Sequence, residues 1–325
     1  MQEYVMGNGA IALGALAAGV NLVAGYPGTP SSEILETISK YRHDGVYIEW
    51  SVNEKAAMEV AAAAAYSGAR AMVTMKQVGL NVAADPLMSL AYVGVKGGMV
   101  IVSADDPGPI SSQTEQDTRR FADFCRIPVF DPSSPEEAYK MIGEAFEYSE
   151  KYNTPVLFRP TTRVCHAYAS IDNCDSPSPK KYEGFVKDSK KWVIFPRLSF
   201  ANHIMIEKRN VEIGKDFSTY SANKAEGVNS EKAVVTSGIS YAYTKECLED
   251  YPDVKLIKIA TAYPFPEDFV LSSLEGAKEV LCIEELSPFI EEQILKLTGK
   301  HGLQLKVSGK LDGKVQAGGC LLYTS

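Results

Sequence analysis

The chain has 325 residues, 45% of them apolar and 23% charged, with a net charge of −8 at pH 7. That length allows two domains with proper cores and the composition is ordinary for a globular protein, while the acidic balance argues against nucleic acid or an anionic membrane as the main partner. The apolar run 10–26 is interrupted by Gly14, Gly19, Asn21 and Gly25 and follows no basic cluster, so neither a signal peptide nor a membrane span is expected and the cytoplasm is the expected location.

In chain order, Asn8 is placed to cap a helix over 10–18, and residues 21–25 (NLVAG) read as a short buried strand. The turn Tyr26-Pro27-Gly28-Thr29-Pro30-Ser31-Ser32 hands over to a helix starting near Ser32 and Glu33, with Ile34, Leu35 and Ile38 at helical spacing. Residues 46–52 alternate apolar and polar side chains and predict a strand. Asn53 is a good N-cap for the Ala-rich helix that follows, and the five alanines at 61–65 let that helix lie close to a sheet. A strand over 70–76 leads to a helix opened by Gln77-Val78-Gly79-Leu80-Asn81. An apolar strand over 98–104 ends at Asp105-Asp106-Pro107-Gly108-Pro109. A helix over 116–124, a short strand over 128–130, a helix over 135–152 and a strand over 155–159 complete the unit. Continuous apolar strands separated by helices predict an α/β fold with a doubly wound, mostly parallel sheet.

From about 166 to 232 the periodicity loosens, and Ser176-Pro177-Ser178-Pro179 has linker composition. Order returns with strands over 233–237, 255–260 and 279–284, alternating with helices that run to 248, over 266–274 and over 288–298. This is a second, smaller α/β domain. The expected division is 1–168 for the first domain, 169–230 for an interdomain crossover and 231–318 for the second. Residues 319–325 read as the non-native tail of a truncated reading frame.

Six cysteines, at 125, 165, 174, 247, 282 and 320, show no CxxC spacing, so neither a disulfide framework nor a zinc or iron–sulfur ligand set is expected. Cys282 lies in the apolar run EVLCIEEL and belongs to a core. The histidines at 43, 166, 203 and 301 form no pair, and no metal ligand is assigned.

Two stretches carry chemistry. The turn of residues 26–32 offers the hydroxyls of Thr29, Ser31 and Ser32 together with the free amides of a helix N-terminus, a surface suited to a carboxylate or phosphate. Glu54 sits on the first helical turn at the C-terminal end of a strand, where crevices of open α/β sheets lie. Taken alone it could simply complement the helix dipole. Beside the hydroxyl-bearing turn it bounds a pocket.

The stretches YPGTPSSEI (26–34) and EWSVNEKAAMEVAAAAAYSGARAMVTMKQVGLNVAADPL (49–87) resemble the α subunits of indolepyruvate ferredoxin oxidoreductases. These are a branch of the thiamine-diphosphate-dependent 2-oxoacid:ferredoxin oxidoreductases. The run from Asp105 to Gln113 and then Glu115-Gln116-Asp117 adds to the likeness, which covers residues 1 to about 318 and departs at Gly9, where an acidic residue is expected. The resemblance implies that residues 1–168 are a pyrimidine-binding domain and that the smaller domain is of transketolase-C-terminal type. It implies that Glu54 is catalytic and cofactor-binding, hydrogen-bonding N1′ of the aminopyrimidine so that the C2 proton can leave. Tyr26, Thr29 and Ser31 would face the 2-oxoacid, although Thr29 could equally only stiffen its turn. Gln77, Gly79 and Asn81 would line the pyrimidine side or serve as caps, with Ser111, Ser112 and Arg119 as more remote candidates.

The chain has neither the Gly-Asp-Gly…Asn pattern that holds Mg2+ and diphosphate nor a CxxCxxCxxxCP run for a cluster. In the resembled family both lie further toward the C-terminus. The resemblance therefore implies half an active site, inactive alone. Mg2+ and [4Fe-4S] clusters would be held elsewhere, coenzyme A would be the co-substrate, and a β subunit and ferredoxin the partners in a cytoplasmic hetero-oligomer. Two alternatives stand beside it: an α subunit of a pyruvate or 2-oxoglutarate ferredoxin oxidoreductase, and a non-catalytic assembly scaffold.

Overall fold

A computed structural model describes residues 2–42, 44–173, 178–316 and 318. The expectations for His43, for Cys174 and the first half of the Ser-Pro linker at 176–177, and for Cys320 and the 319–325 tail lie outside the described residues. The chain begins with β1 (Gln2–Met6), α1 (Gly7–Ala17), β2 (Leu22–Gly25), α2 (Ser32–Tyr41), β3 (Tyr47–Trp50), α3 (Glu54–Tyr66) and β4 (Ala71–Lys76). There follow α4 (Gln77–Val82), α5 (Ala84–Val93), β5 (Met99–Ala104), α6 (Thr118–Cys125), β6 (Val129–Phe130), α7 (Pro135–Tyr152), β7 (Val156–Phe158), α8 (Thr162–His166) and β8 (Tyr168–Asp172).

Six of these strands form a wholly parallel sheet in the order β3-β2-β4-β5-β7-β6. Alternate side chains of each central strand enter opposite cores. Val23, Met72, Val100 and Val102 pack with Ile11, Ile34, Ile38 and Ile142 from α1, α2 and α7. Ala24, Val73, Met75 and Ile101 pack with Ala57, Ala61, Leu80 and Leu87 from α3, α4 and α5. The connection leaving β2 thus covers one face while the connection leaving β4 covers the other. Between β2 and β4 the topology switches, and the C-terminal edge there forms the crevice in which doubly wound sheets bind ligands. The Ala face of α3 lies directly on β2 and β4; Ala57, Ala61 and Ala65 are fully buried.

The segment expected to be loose contains the four-residue α9 (Ser189–Trp192) and a long helix, α10 (Pro196–Ser218). Then come β9 (Lys224–Glu226), β10 (Lys232–Ser237), α11 (Ser240–Cys247), β11 (Lys255–Ile259), α12 (Glu267–Ser273), β12 (Glu279–Ile283), α13 (Phe289–His301) and β13 (Lys306–Ser308). They build a second sheet, ordered β13-β12-β10-β11-β9, parallel except for the edge strand β9. Val235, Ile257 and Cys282 of this sheet share one continuous core with α3, α5 and α6. The two parts are also joined along β6, where Val129 N donates to Tyr263 O at 2.7 Å and Asp131 N to Ala260 O at 2.8 Å. Among the described cysteines, Cys125, Cys165 and Cys282 are buried, Cys247 is exposed, and all four are free.

Two local expectations are corrected. Asn8 is not a cap: Met6 holds that position, and Asn8 lies inside the first turn of α1. Its amide donates to Pro30 O at 2.7 Å and to Glu33 Oε2 at 2.8 Å, so it anchors the Tyr26–Ser32 turn from below. Strands β1, β8, β9 and β13 were not foreseen; β1 and β8 pair antiparallel as a separate ribbon. No described helix is long and apolar enough to cross a membrane.

Candidate functional site

Strands β2 and β3 run parallel in a register that sets Gly25 against Trp50, and Ser51 N donates to Gly25 O at 2.9 Å. Their C-terminal ends therefore lie side by side, one continuing into the Tyr26–Ser32 turn and the other into Asn53 and α3. Asn53 caps α3 as its residue type demands, its side chain accepting from Ala56 N at 2.8 Å. Glu54 is thereby fixed as the first helical residue.

Its side chain turns to α4, the helix that leaves β4. Gly79 is the reason it can do so. A Cβ built on Gly79 would lie 2.5 Å from Glu54 Oε1 and 2.7 Å from its Cγ. Glu54 is only 8% exposed, yet its carboxylate has no hydrogen bond or ion pair among the described residues. A largely buried side chain whose carboxylate keeps its acceptors unspent suits a ligand that brings a donor. Two further polar atoms point the same way. Gln77, also on α4, is fully buried; its Nε2 donates to Thr114 O at 3.3 Å, but its Oε1 has no partner. Thr74 Oγ1, on β4, is likewise buried and unpartnered. It reaches across to Gly25, where a Cβ would come within 2.5 Å of it. Sequence reasoning missed Thr74; the signal available was a polar residue inside a central strand that is otherwise apolar up to its terminal Lys76.

The turn after β2 differs from expectation. Ser31 is buried and its hydroxyl donates to Gly28 O at 2.9 Å, while Ser32 Oγ accepts from Gly28 N at 2.8 Å. Both hydroxyls close the turn on itself, and that of Ser31 is spent on the backbone. Of the three Ser and Thr hydroxyls of the turn, that of Thr29 is exposed and has no partner among the described residues. Tyr26, at the start of the turn, is exposed, as is Trp50 at the paired strand end. Asn81 is exposed on α4 and donates to Gln116 Oε1 at 3.1 Å, so it serves to hold the neighbouring loop.

That loop, residues 106–117, spans the crevice. Asp106 holds its root, accepting from Ser111 N at 2.9 Å and Ile110 N at 3.1 Å with one oxygen and from Thr162 Oγ1 with the other. Ser111 Oγ then donates to Thr29 O at 3.3 Å on one side, and Thr114 O meets Gln77 on the other.

Beneath the loop, Asp105 accepts from Thr118 N, Thr118 Oγ1 and Arg159 Nε, and Arg159 also reaches Asp131. Burial pushes the Asp105 carboxyl up to about 6 against the pull of Arg159. Asp117 is buried too, but the guanidinium of Arg119 overcomes that burial and holds it at about 2. Arg119 is fully buried and ties the two parts of the chain together, binding Asp117 at 2.6 Å and Glu284, at the end of β12, at 2.8 Å. Glu284 also accepts from Ile290 N and Glu291 N at the start of α13. Arg119 is thus structural. Chemically, the crevice offers unpaired acceptors on Gln77 and Thr74 beside the Glu54 carboxylate, which fit a group bearing N–H donors.

Comparison with known proteins agrees with this geometry. Residues 13–228 match the family model described as pyruvate flavodoxin/ferredoxin oxidoreductase, thiamine diP-bdg. The chain is 42% identical over 315 residues to indolepyruvate oxidoreductase subunit IorA of Thermococcus kodakarensis, the match covering 94% of this chain and 49% of the relative. It is 42% identical to the subunit of the same name from Methanothermobacter thermautotrophicus, covering 95% and 51%. The chain therefore spans about half the length of the curated relatives it matches. A solved 2-oxoglutarate:ferredoxin oxidoreductase from Magnetococcus marinus, with 2-oxoglutarate, coenzyme A and succinyl-CoA bound, shares the fold. Its TM-score is 0.75 at 16% identity, over 95% of this chain and 62% of that one.

Proposed function

The chain belongs to the pyruvate flavodoxin/ferredoxin oxidoreductase family through its thiamine diphosphate-binding part, and we propose that it supplies the pyrimidine-side half of a thiamine diphosphate site. The enzyme would oxidatively decarboxylate aryl 2-oxoacids of the indolepyruvate type to the acyl-CoA and reduce ferredoxin. The observation that carries this reading is the largely buried Glu54, its carboxylate unpaired among the described residues and laid against Gly79 at the topological switch point.

When bound, the cofactor supplies the electron sink that lets a 2-oxoacid lose carbon dioxide. Glu54 would hold a pyrimidine ring nitrogen and share a proton with it at its carboxylate oxygen, which is general acid–base work. The unpaired Gln77 Oε1 would accept from the exocyclic amine, and the missing side chain at Gly79 lets the Glu54 carboxylate lie against α4. Thr29 presents its hydroxyl to the substrate carboxylate or keto oxygen, and Tyr26 and Trp50 offer aromatic surface at the same strand ends. Asn81 acts through Gln116 by holding the covering loop.

Residues 1–168 form the pyrimidine-binding domain in this proposal and 231–318 the smaller domain, with 169–230 joining them. The diphosphate with its Mg2+, the [4Fe-4S] clusters and coenzyme A fall to protein outside these 325 residues. The partners are a β subunit and ferredoxin, in a cytoplasmic hetero-oligomer. A scaffold without catalysis has no use for an unpaired carboxylate on a largely buried residue at the seam, which disfavours that reading. The test is 2-oxoacid-dependent reduction of a viologen dye by the assembled enzyme containing this chain. Indolepyruvate should exceed pyruvate and 2-oxoglutarate in kcat/KM by about tenfold or more; a preference for either small acid overturns the substrate assignment.

A further inference from the structure

A cavity of about 730 Å³ opens between the C-terminal turns of α5 and α7 and the helices α9 and α10. Val93 and Gly94 precede β5 and Tyr152 and Asn153 precede β7, so the cavity lies at the N-terminal edge of the parallel sheet, the opposite end from Glu54. Its walls carry Lys151, Lys190, Lys191, Lys208 and Arg209 against one acid, Glu212. Lys151 is paired with Asp216. The other four cations make no ion pair among the described residues. In a chain of net charge −8, this is a local reversal of sign.

Arg209 is the decisive residue. Its Nε and Nη2 are both buried and neither has a hydrogen-bond partner. Burial lowers its proton affinity, to a pKa of about 10, with only the distant pull of Tyr263 against it. Arg209 lines the cavity, and a guanidinium fork there can match two oxygens of a phosphate or carboxylate. A half-buried cation with unpaired N–H groups becomes more favourable once an anion is bound beside it. The volume is that of a ligand of drug or nucleotide size, and Tyr92, Leu198 and Met205 provide apolar wall for an uncharged body. Several positive charges around one fork suit phosphate better than a single carboxylate.

We propose that this cavity binds a phosphate-bearing small molecule of nucleotide size, Arg209 gripping a phosphate and Lys190, Lys191 and Lys208 surrounding it. Being at the far edge of the sheet, the site is separate from the decarboxylation chemistry.

Trp192 reports on it, because Lys191 Nζ lies 4.5 Å from the centre of its ring. The chain has two tryptophans, so Trp50→Phe isolates its emission. Titration of that variant with ADP should give a saturable change that sodium chloride at matched ionic strength does not reproduce. Adding Arg209→Met should weaken ADP binding by about tenfold or more, with the thermal midpoint checking the fold. If that variant does not fold, Arg209→Lys keeps the charge, loses the fork and should also weaken binding. The proposal is overturned by no saturable response, by chloride reproducing it, or by unchanged ADP affinity in a folded Arg209 variant. It is also overturned if a hexaglutamate peptide binds more tightly than ADP, which would mark the cavity as a seat for an acidic protein segment.

Discussion

Glu54 and Gly79, 25 positions apart in the chain, are in direct contact: a methyl group on Gly79 would lie 2.5 Å from the glutamate's Oε1. Helix propensity alone would make Gly79→Ala stabilising by about 1 kcal/mol. The contact reverses the sign, because overpacking of this kind typically costs about 1–3 kcal/mol. Urea denaturation should therefore find Gly79→Ala destabilised, and Glu54→Ala in the same chain should recover most of the loss. A neutral or stabilised single variant would show that the two residues do not touch.

The three hydroxyls of the turn after β2 should separate into two classes. Ser31→Ala removes the bond to Gly28 O and should cost about 1 kcal/mol of stability. Thr29→Val deletes an exposed, unspent hydroxyl, so its stability should stay within about 0.5 kcal/mol of the parent while KM for the 2-oxoacid rises. The contrast fails if Thr29→Val unfolds more easily than Ser31→Ala, or if its steady-state kinetics are unchanged.

The buried pair Arg119–Glu284 joins the first turn of α6 to the end of β12 in the second sheet. Glu284→Ala leaves a buried guanidinium with less than its full complement of partners, and losing one member of such a pair costs roughly 3–5 kcal/mol. Calorimetric unfolding should show that loss; a shift equivalent to less than about 1 kcal/mol, the range of an exposed pair, would contradict the fastening role.

Asp105 and Asp117 should give opposite pH dependences. Burial raises Asp105 to about 6 in the fold, so the stability it contributes is fully present below its ordinary value of 3.8 and is lost as pH rises through 6. Asp117, held at about 2 by Arg119 against its burial, contributes above 3.8 and loses its contribution as pH falls toward 2. Relative to Asp105→Asn, the parent chain should gain stability as pH drops from 7 to 4.5. Both chains should weaken together below pH 4. Parallel profiles between pH 7 and 4.5 would remove Asp105 as the titrating group.

Much of the fold was legible because local signals agreed with one another. The apolar run of β5, the Asn53 cap of α3 and Pro135 at the start of α7 each name their element without help from distant residues. Helix α10 was not legible. Its buried stripe is Ile206, Asn210, Ile213 and Phe217, while Phe200, Ile204, Met205 and Val211 are exposed, so apolar residues fall all round the helix and blur its period. The position of Glu54 could be read from Asn53 and the strand before it. That its carboxylate would meet Gly79 could not, since the contact depends on how α3 and α4 cross. The inward turn of Ser31 and Ser32 escaped for a similar reason, because a hydroxyl's choice between backbone and ligand depends on turn dihedrals. Arg119 and Glu284, 165 positions apart, are beyond any local pattern.

The central claim is that Glu54 shares a proton with the pyrimidine of thiamine diphosphate, and exchange of the cofactor's C2 proton with deuterium in the assembled enzyme tests it most directly. Glu54→Gln is nearly isosteric, so its packing beside Ala57, Met58 and Gly79 should persist and circular dichroism should be unchanged. An amide cannot pass a proton to a ring nitrogen. The account predicts that exchange in the variant slows by about 10²–10⁴-fold, the usual worth of a positioned acid–base group, with turnover falling in step. Exchange at the parental rate in a folded variant would contradict it and leave Glu54 as a residue that only complements the dipole of α3.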